Sequence, residues 1–463
     1  MGTEYMDLKD KKVTVVGLGN SGSNAAVLLD DIGAAAWATD AGDTPGIRRA
    51  VENLANRDIR IEIGCHTREF IEGSSLVVVS PGVEETSLPI RWARELGIPV
   101  IGEMELGFRF CKGKVIAITG TNGKSTVTTL TGEILRSGGK DVVVCGNIGN
   151  SLCGEIQRIK EGTLVVMEVS SFQLELTEKF KPEIAVILNI TDDHLDRYRT
   201  FKDYFREKLR IFTNQDKDDI LVLNSDAGNL RPLAGMARSK VLWYGRSGNV
   251  DGVYVKGDMI LSTVRGREEE LLSVRDIRLK GSHNLENVAA SCLMGVLNGV
   301  DSGSIRKVVS VFTGLSHRFE TVDTIEGVEY VDDSKGTTVD STYRALESCD
   351  KPVILIAGGK DKKSDYGVIK DMVRKKAKHL VLIGEAAPKI QGILGDCVDT
   401  HNAKSMDDAV VIARGLAQRG MIVLLSPMCS SFDMFKDYKE RGDIFRRAVQ
   451  GIRAHPVSAK GAR

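Results

Sequence analysis

Short runs of four or five apolar residues recur along the chain, each closed by glycine or polar turn residues and followed by helical spacing. Residues 13–16, 76–79, 115–118, 164–167, 184–188, 353–357, 380–383 and 422–425 are the clearest. Continuous apolar strands of this length, alternating with helices, predict parallel sheets covered on both faces. The stretch 245–280 breaks the rhythm. There Val253-Tyr254-Val255 and Met259-Ile260-Leu261 sit between turn residues, which predicts a small antiparallel flap. No short period repeats, so a solenoid is excluded. The polar, small residues 453–463 predict a frayed tail.

Length turns one α/β unit into several, since 463 residues are roughly three times a typical domain. Hydrophobic residues make up 42% and charged residues 27%, a mixture that buries a core without disulfides or a structural metal. Lys+Arg and Asp+Glu are both 63, so the net charge is zero and a generally basic, nucleic-acid-binding surface is excluded. No secretory leader pattern is present and no apolar run approaches about 18 residues, which predicts no membrane insertion. The eight cysteines are scattered without a CxxC pair, as expected of free thiols in a reducing cytoplasm.

Three strand–helix junctions carry special loops: Gly17-Leu18-Gly19-Asn20-Ser21-Gly22, Gly120-Thr121-Asn122-Gly123-Lys124-Ser125, and Gly358-Gly359-Lys360-Asp361-Lys362. Their separation predicts three α/β domains, 1–110, 111–314 and 315–463. The first loop, with Asp40 closing the next apolar stretch, has the form of a dinucleotide fingerprint. Glycines admit a phosphate to a helix N-terminus, and an acid about 20 residues on binds a ribose. An NAD-dependent dehydrogenase is one reading of that loop, and a glycine turn needed only for packing is another.

The second junction reads as strand, phosphate loop, helix. Backbone N–H groups cradle phosphates, Lys124 neutralises charge, the Ser125 hydroxyl reaches Mg²⁺, and Thr126 continues the helix. The strict GxxxxGKS spacing fails because Ile118 stands where its first glycine belongs, so the shorter GxxGKS remains. Glu168 closes the run 164–167, and a carboxylate at a strand tip beside a phosphate loop suits Mg²⁺. A simply solvated strand end is the alternative. His194 follows another apolar run, inside the cluster Asp192, Asp193 and Asp196, which points to metal or phosphate chemistry.

Lys208 stands out on geometry. With Phe201–Phe212 on a helix at about 100° per residue, Phe201, Tyr204, Phe205, Leu209, Ile211 and Phe212 share one arc. Lys202, Asp203, Arg206, Glu207 and Arg210 lie opposite, but Lys208 falls at about 340°, inside the apolar arc. Either its stem packs and the ammonium escapes to water, or its charge is suppressed or modified for function.

The chain resembles the Mur ligases, the ATP-dependent amide ligases of peptidoglycan precursor synthesis, and most of all their glutamate-adding branch. The likeness rests on GTNGKSTVTTL (120–130), CGNIG (145–149), EVSSFQLE (168–175), NITDDHLDRY (189–198) and YFREKLRIF (204–212). SHNLENVAA (282–290), HRFE (317–320), DDSKGTT (332–338) and LSPMCSSFDMFKDYKERG (425–442) complete the series.

The resemblance implies a Rossmann-like N-terminal domain, a central P-loop ATPase-type domain and a Rossmann-like C-terminal domain. They would hold a UDP-linked sugar or peptide precursor, ATP and a free amino acid in turn, in a monomer. ATP's γ-phosphate would pass to a carboxylate, and an amine would displace it. Lys124 and the loop Gly120–Thr126 would bind the phosphates, with Ser125 and Glu168 on one Mg²⁺. His194 and a carbamylated Lys208 would serve a second. Asn284 and Asn287 would face the adenine, and Arg318, Asp333 and Lys335 would reach ATP from the third domain, Arg318 and Lys335 toward its phosphates. The UDP precursor would lie against Gly19, Asn20, Ser21, Asp40, Ser80, Gly82, Asn147, Ser170 and Gln173. The amino acid would meet Thr337, Lys362, Ser431, Phe432 and Tyr438. Without these roles, Ser431 would be a plain helix cap and Lys362 one of a run of solvated charges.

Three stretches depart from the branch. Ala41-Gly42 follows Asp40 where Thr-Arg is usual, DSKGTT replaces DSKATN, and Tyr438 replaces phenylalanine. A related ligase of pseudomurein synthesis, joining a different amino acid, would keep the ATP machinery and alter such positions. A non-catalytic nucleotide-binding relative is opposed by the intact Lys124, Glu168, His194 and Lys208.

Overall fold

Each of the eight apolar runs falls on a strand, the run 184–188 overshooting its strand by one residue. The structure, a computed structural model, describes residues 6–193, 197–246, 248, 250–264, 266–279 and 282–454. His194, Asp196 and the end of the tail, 455–463, therefore lie outside the described residues. The chain divides into two compact units. The first comprises Met1–Ile190, Phe205–Val274 and Asn287–Val309; the second comprises Thr191–Tyr204, Arg275–Glu286 and Ser310–Arg463.

The first unit contains two sheets. Strands β1 (Lys12–Val16), β2 (Ala35–Asp40), β3 (Ile59–Ile63), β4 (Leu76–Val79) and β5 (Val100–Gly102) form one, in the order β3-β2-β1-β4-β5. All its pairs are parallel. The central β1 and β4 are almost wholly buried because both faces are covered, whereas the edge strand β3, Ile-Arg-Ile-Glu-Ile, is only half-buried. Helix Asn20–Asp31 packs Ala25, Ala26, Leu28 and Leu29 onto this sheet.

The second sheet has nine strands. They are β6 (Lys114–Thr119), β7 (Val142–Gly146), β8 (Leu164–Glu168), β9 (Ile184–Ile187), β10 (Ile220–Asn224), β11 (Lys240–Gly245), β12 (Gly252–Lys256), β13 (Met259–Ser262) and β14 (Glu269–Ser273). Their order is β14-β13-β12-β11-β10-β9-β6-β8-β7. The stretch 245–280 supplies β12–β14, which pair antiparallel with one another and extend the sheet through the parallel contact of Trp243 with Gly252. Gly252 has φ 150°, and a Cβ there would stand 1.8 Å from Trp243 O, so glycine is what lets the edge continue.

The second unit is built on β15 (Glu320–Ile325), β16 (Val328–Asp332), β17 (Val353–Gly358), β18 (Ala377–Ile383), β19 (Asp399–Asn402) and β20 (Ile422–Leu425). The order is β15-β16-β20-β17-β18-β19, parallel except for the hairpin β15–β16. Alternate residues of β17 feed two cores, Leu355 one face and Ile354 and Ile356 the other. No described helix is long and apolar enough to cross a membrane, and all eight cysteines are free.

Candidate functional site

In the first unit, polar groups gather at the carboxyl ends of β6, β8 and β9. After Thr119 the chain passes through Gly120, φ 157°, and Gly123, φ 86°, and helix Lys124–Ser137 begins at once. A Cβ on Gly123 would stand 2.5 Å from Asn287 Oδ1, so glycine is needed for that approach. Thr121 N donates to Asn189 O at 2.9 Å and Asn122 N to Asn189 Oδ1 at 2.8 Å, while Asn189 Nδ2 donates back to Asn122 O at 3.1 Å. Lys124 Nζ folds over the loop, 2.8 Å from both Gly120 O and Thr121 O. Ser125 and Thr126 are buried in the first helical turn. A helix N-terminus with an ammonium across it is a site for an anion. Asn284 and Asn287 are both buried on helix Ser282–Leu297.

Glu168 is only 2% exposed, so it is no solvated strand end. Its Oε1 accepts Asn147 Nδ2 at 2.9 Å, and Asn147 N donates to Glu168 O at 2.8 Å. Lys208, on helix Phe201–Leu209, is 1% exposed, which rules out snorkelling. Its Nζ lies 2.9 Å from Gly120 O and 3.4 Å from Thr119 Oγ1, beneath the glycine loop. The apolar arc of that helix carries a cation to the same loop that Lys124 crosses.

The first glycine loop is equally tight. Gly17 has φ 91°, and a Cβ on Gly22 would overlap Gly17 O at 1.7 Å, so helix Asn20–Asp31 starts hard against β1. Asp40 uses both carboxylate oxygens on this turn, accepting Leu18 N and Gly42 N at 2.7 Å each. Gly19 precedes that helix, Asn20 and Ser21 open it, and Ser80 and Gly82 follow β4. Ser170 and Gln173 form a capping box on helix Ser171–Leu174, a structural task beyond the one the resemblance implies.

In the second unit the segment leading into β15 and the loops after β16, β17 and β20 hold the remaining candidates. Asp333 is buried, accepts Ser426 Oγ at 2.7 Å and Phe319 N at 3.2 Å, and burial pushes its carboxyl up to about 7. Arg318 lies between two residues with left-handed backbone, His317 at φ 64° and Phe319 at φ 46°, a strained placement of the kind found at working sites. Lys335 stands over the Tyr438 ring at 4.9 Å. Thr337 N donates to Lys335 O at 2.8 Å. Ser431 is buried, while its neighbour Phe432 is 68% exposed. Lys362 pairs with Asp193 at 3.4 Å. These two, with Thr191, Thr338, Tyr343 and Ser364, line a cavity of about 400 Å³.

The sequence marks Asn189 only as part of a motif. Its hold on the glycine loop joins β6 to a strand adjacent in space but far along the chain, and no local pattern announces that. Its position as the first polar residue after an apolar run, which Glu168 shares in kind, is the one available signal.

Three family models cover the chain: a Mur ligase MurD-like N-terminal domain over residues 11–102, the Mur ligase middle domain over 118–295, and the Mur ligase glutamate ligase domain over 317–429. The UDP-N-acetylmuramoylalanine--D-glutamate ligase of Koribacter versatilis is 44% identical over 96% of this chain and 98% of its own. That of Thermoanaerobacter pseudethanolicus is 40% identical over 97% of this chain and 100% of its own. Among solved structures, a pseudomurein peptide ligase type C from Methanothermus fervidus matches with a TM-score of 0.62 at 16% identity, over 96% of this chain and 100% of that one. The UDP-N-acetylmuramate-alanine ligase of Thermotoga maritima matches with a TM-score of 0.61 at 17% identity, over 95% and 99%. At those identities the two structures speak for the fold alone.

Proposed function

The chain belongs to the Mur ligase family, and from that premise we propose that it joins D-glutamate to UDP-N-acetylmuramoyl-L-alanine with ATP. The γ-phosphoryl group passes to the acceptor's carboxylate, giving an acyl phosphate and ADP. The amine of D-glutamate attacks the acyl carbon, loses a proton and expels phosphate, so an amide, ADP and phosphate are the products. The observation that carries the reading is the arrangement at the tips of β6, β8 and β9, where Lys124 and Lys208 both reach carbonyls of the glycine loop, Ser125 follows it in the helix, and Glu168 ends the strand paired with β6. Near full-length identity to D-glutamate ligases favours it over a dehydrogenase and over a pseudomurein ligase.

Domain by domain, the order β3-β2-β1-β4-β5 with its glycine loop supports a Rossmann-like holder for the UDP precursor within 1–110. The loop Gly120–Lys124 supports a P-loop ATP domain, 111–314, with β12–β14 as its antiparallel edge. The third sheet supports an amino-acid domain, 315–463. In this reading the protein is a cytoplasmic monomer.

The hydroxyl of Ser125 and the carboxylate of Glu168 are hard oxygen donors, which fits Mg²⁺, and these two would hold it. Such a cation supplies charge neutralisation on phosphoryl oxygens. Lys208 as a carbamate, with His194, would offer further donors for a second cation. Support for the carbamate is the burial of Lys208, because only a neutral amine reacts with CO₂ and burial favours that form. Lys124 orients the β- and γ-phosphates, and Asn147 fixes the Glu168 carboxylate.

Phosphate release tests the proposal. It is expected only when ATP, UDP-N-acetylmuramoyl-L-alanine and D-glutamate are present together. Equal release with L-glutamate or another amino acid, or NADH oxidation without ATP, would overturn it.

A further inference from the structure

We infer that Arg441 is a positioning residue for the amino-acid half of this reaction, holding the loops after β16 and β20 in one shape. The inference rests on the ligase reading and adds a residue that the motifs left without a task.

Arg441 lies in the first turn of helix Tyr438–Ala454, is 0% exposed, and is the largest of the fully buried side chains described. Its guanidinium is a fork between two loops. Nε donates to Ser334 Oγ at 3.0 Å, Nη2 to Ser334 O at 2.7 Å, and Nη1 to Cys429 O at 3.1 Å. Ser334 Oγ in turn donates to Tyr438 O at 2.8 Å, closing the ring back onto the helix. The loop after β17 presses on the same group: a Cβ on Gly359 would stand 3.2 Å from Nη1 and 2.4 Å from Ser430 O. Strands β16, β20 and β17 are neighbours in the sheet, so one side chain bonds to the loops after two of them and leaves no room for a side chain at the tip of the third.

Stability alone does not account for this residue. Among the described residues no carboxylate lies within ion-pair distance of Arg441, and burial lowers its guanidinium to about 10 although Asp433, Asp332 and Asp333 favour its charge from further off, a sign that the charge is costly there. An apolar side chain of similar volume commonly serves a core as well as a buried cation. What it cannot do is place five donors in a rigid plane against diverging carbonyls. The bonds fall where the candidate residues are: Ser334 lies between Asp333 and Lys335, and Cys429 lies two residues before Ser431. The bridge Lys360–Ser430 extends the bracing toward Lys362.

The test uses Arg441→Lys, which keeps the charge but not the fork, Arg441→Met, and the milder Ser334→Ala. For Arg441→Met we expect the KM for D-glutamate to rise tenfold or more, with the KM for the UDP-linked acceptor changed less than twofold. Arg441→Lys should fall between this variant and wild type, and Ser334→Ala should raise the D-glutamate KM about threefold. Amide hydrogen exchange should quicken in residues 332–338 and 426–432 of each variant, while β17 and β20 stay protected. A merely structural residue would lower Tm and the active fraction with KM unmoved. Folded Arg441→Lys and Ser334→Ala enzymes with wild-type D-glutamate KM and wild-type loop exchange would overturn the inference. Failure of the ligase reading is separate, since the wild-type protein would then release no phosphate with D-glutamate.

Discussion

Lys208 in the first unit and Arg441 in the second are both cations buried on the apolar stripe of a helix, and they meet different surroundings. The Lys208 ammonium ends under a glycine loop, 2.9 Å from Gly120 O and 3.4 Å from Thr119 Oγ1. The Arg441 guanidinium is spread over Ser334 O, Ser334 Oγ and Cys429 O. A lysine is a compact charge that sheds its proton when desolvated, and the neutral amine is a nucleophile. An arginine keeps its charge and offers geometry. The first unit therefore buries a cation that can be chemically changed, and the second buries one that cannot. Burial of a charge is common to both, and in the proposed reading the choice of side chain separates reaction from scaffolding.

Exchanging the side chains gives the largest expected effect. Lys208→Ala should lower kcat by about 10²–10³, the usual consequence of losing one charge-stabilising group at a phosphoryl site. Short carboxylic acids such as acetate should restore part of the rate, because a carboxylate in the vacated space stands in for a carbamate. Lys208→Arg keeps a cation but cannot form the carbamate, so it should be as inactive as the alanine variant and gain nothing from acetate. Full activity in either variant would end the distinction drawn between the two cations.

Asp333 adds a buried acid to the second unit and predicts a smaller effect, on stability. Its folded pKa of about 7 lies above the ordinary 3.8, so the native state holds the proton more tightly than the unfolded chain. Stability should then fall as pH rises between those values and level off above, with a slope of at most about 1.4 kcal/mol per pH unit. His317 pulls the same way in a higher window. A hydrogen bond to Asp332 raises its pKa, so its contribution is complete below 6.5 and is lost as pH rises through the raised value. Thermal melts of unliganded Asp333→Asn should lose the acid-side slope and keep the one above pH 6.5. An unchanged profile would show that Asp333 does not titrate there.

Lys208 is legible in the sequence because a helical wheel is a local pattern and one cation interrupts it. The same rule reaches Arg441, although no motif role draws attention to it. At about 100° per residue, Arg441 falls with Phe445, Ala448 and Val449, all of them buried. Apolar strands such as β4 and β20 are readable for a like reason, since both faces are covered. The edge strands β3 and β15, half-buried and mixed in composition, lack that signal. The bonds of Asn189 to Asn122 and of Asn147 to Glu168 are not readable, because the strand order brings together tips that the chain separates. The capping box at Ser170 and Gln173 shows the converse: residues marked for a ligand by resemblance also have a local structural task.

Asn24 predicts the smallest effect, and the one that sharpens the comparison most. It is the first unit's counterpart of Arg441, a side chain that supports a loop. From helix Asn20–Asp31 its Nδ2 donates to Asn150 Oδ1 at 2.7 Å and to Ser151 Oγ at 3.1 Å. Asn150 O accepts Gly146 N at 2.8 Å, and the same short loop carries Asn147 to Glu168. A side chain at Gly154 would fill the space, since its Cβ would lie 2.7 Å from Asn24 Nδ2. These are neutral hydrogen bonds at a half-buried position, worth about 1 kcal/mol each, so Asn24→Ala should fold and lose little in Tm. The KM for the UDP-linked acceptor should rise about two- to fivefold, in keeping with that energy, while the KM for D-glutamate stays at the wild-type value. That is the mirror image of the Arg441 pattern. If both KM values moved together in either variant, the two loop systems would be coupled, and the division of labour between the units would have to be abandoned.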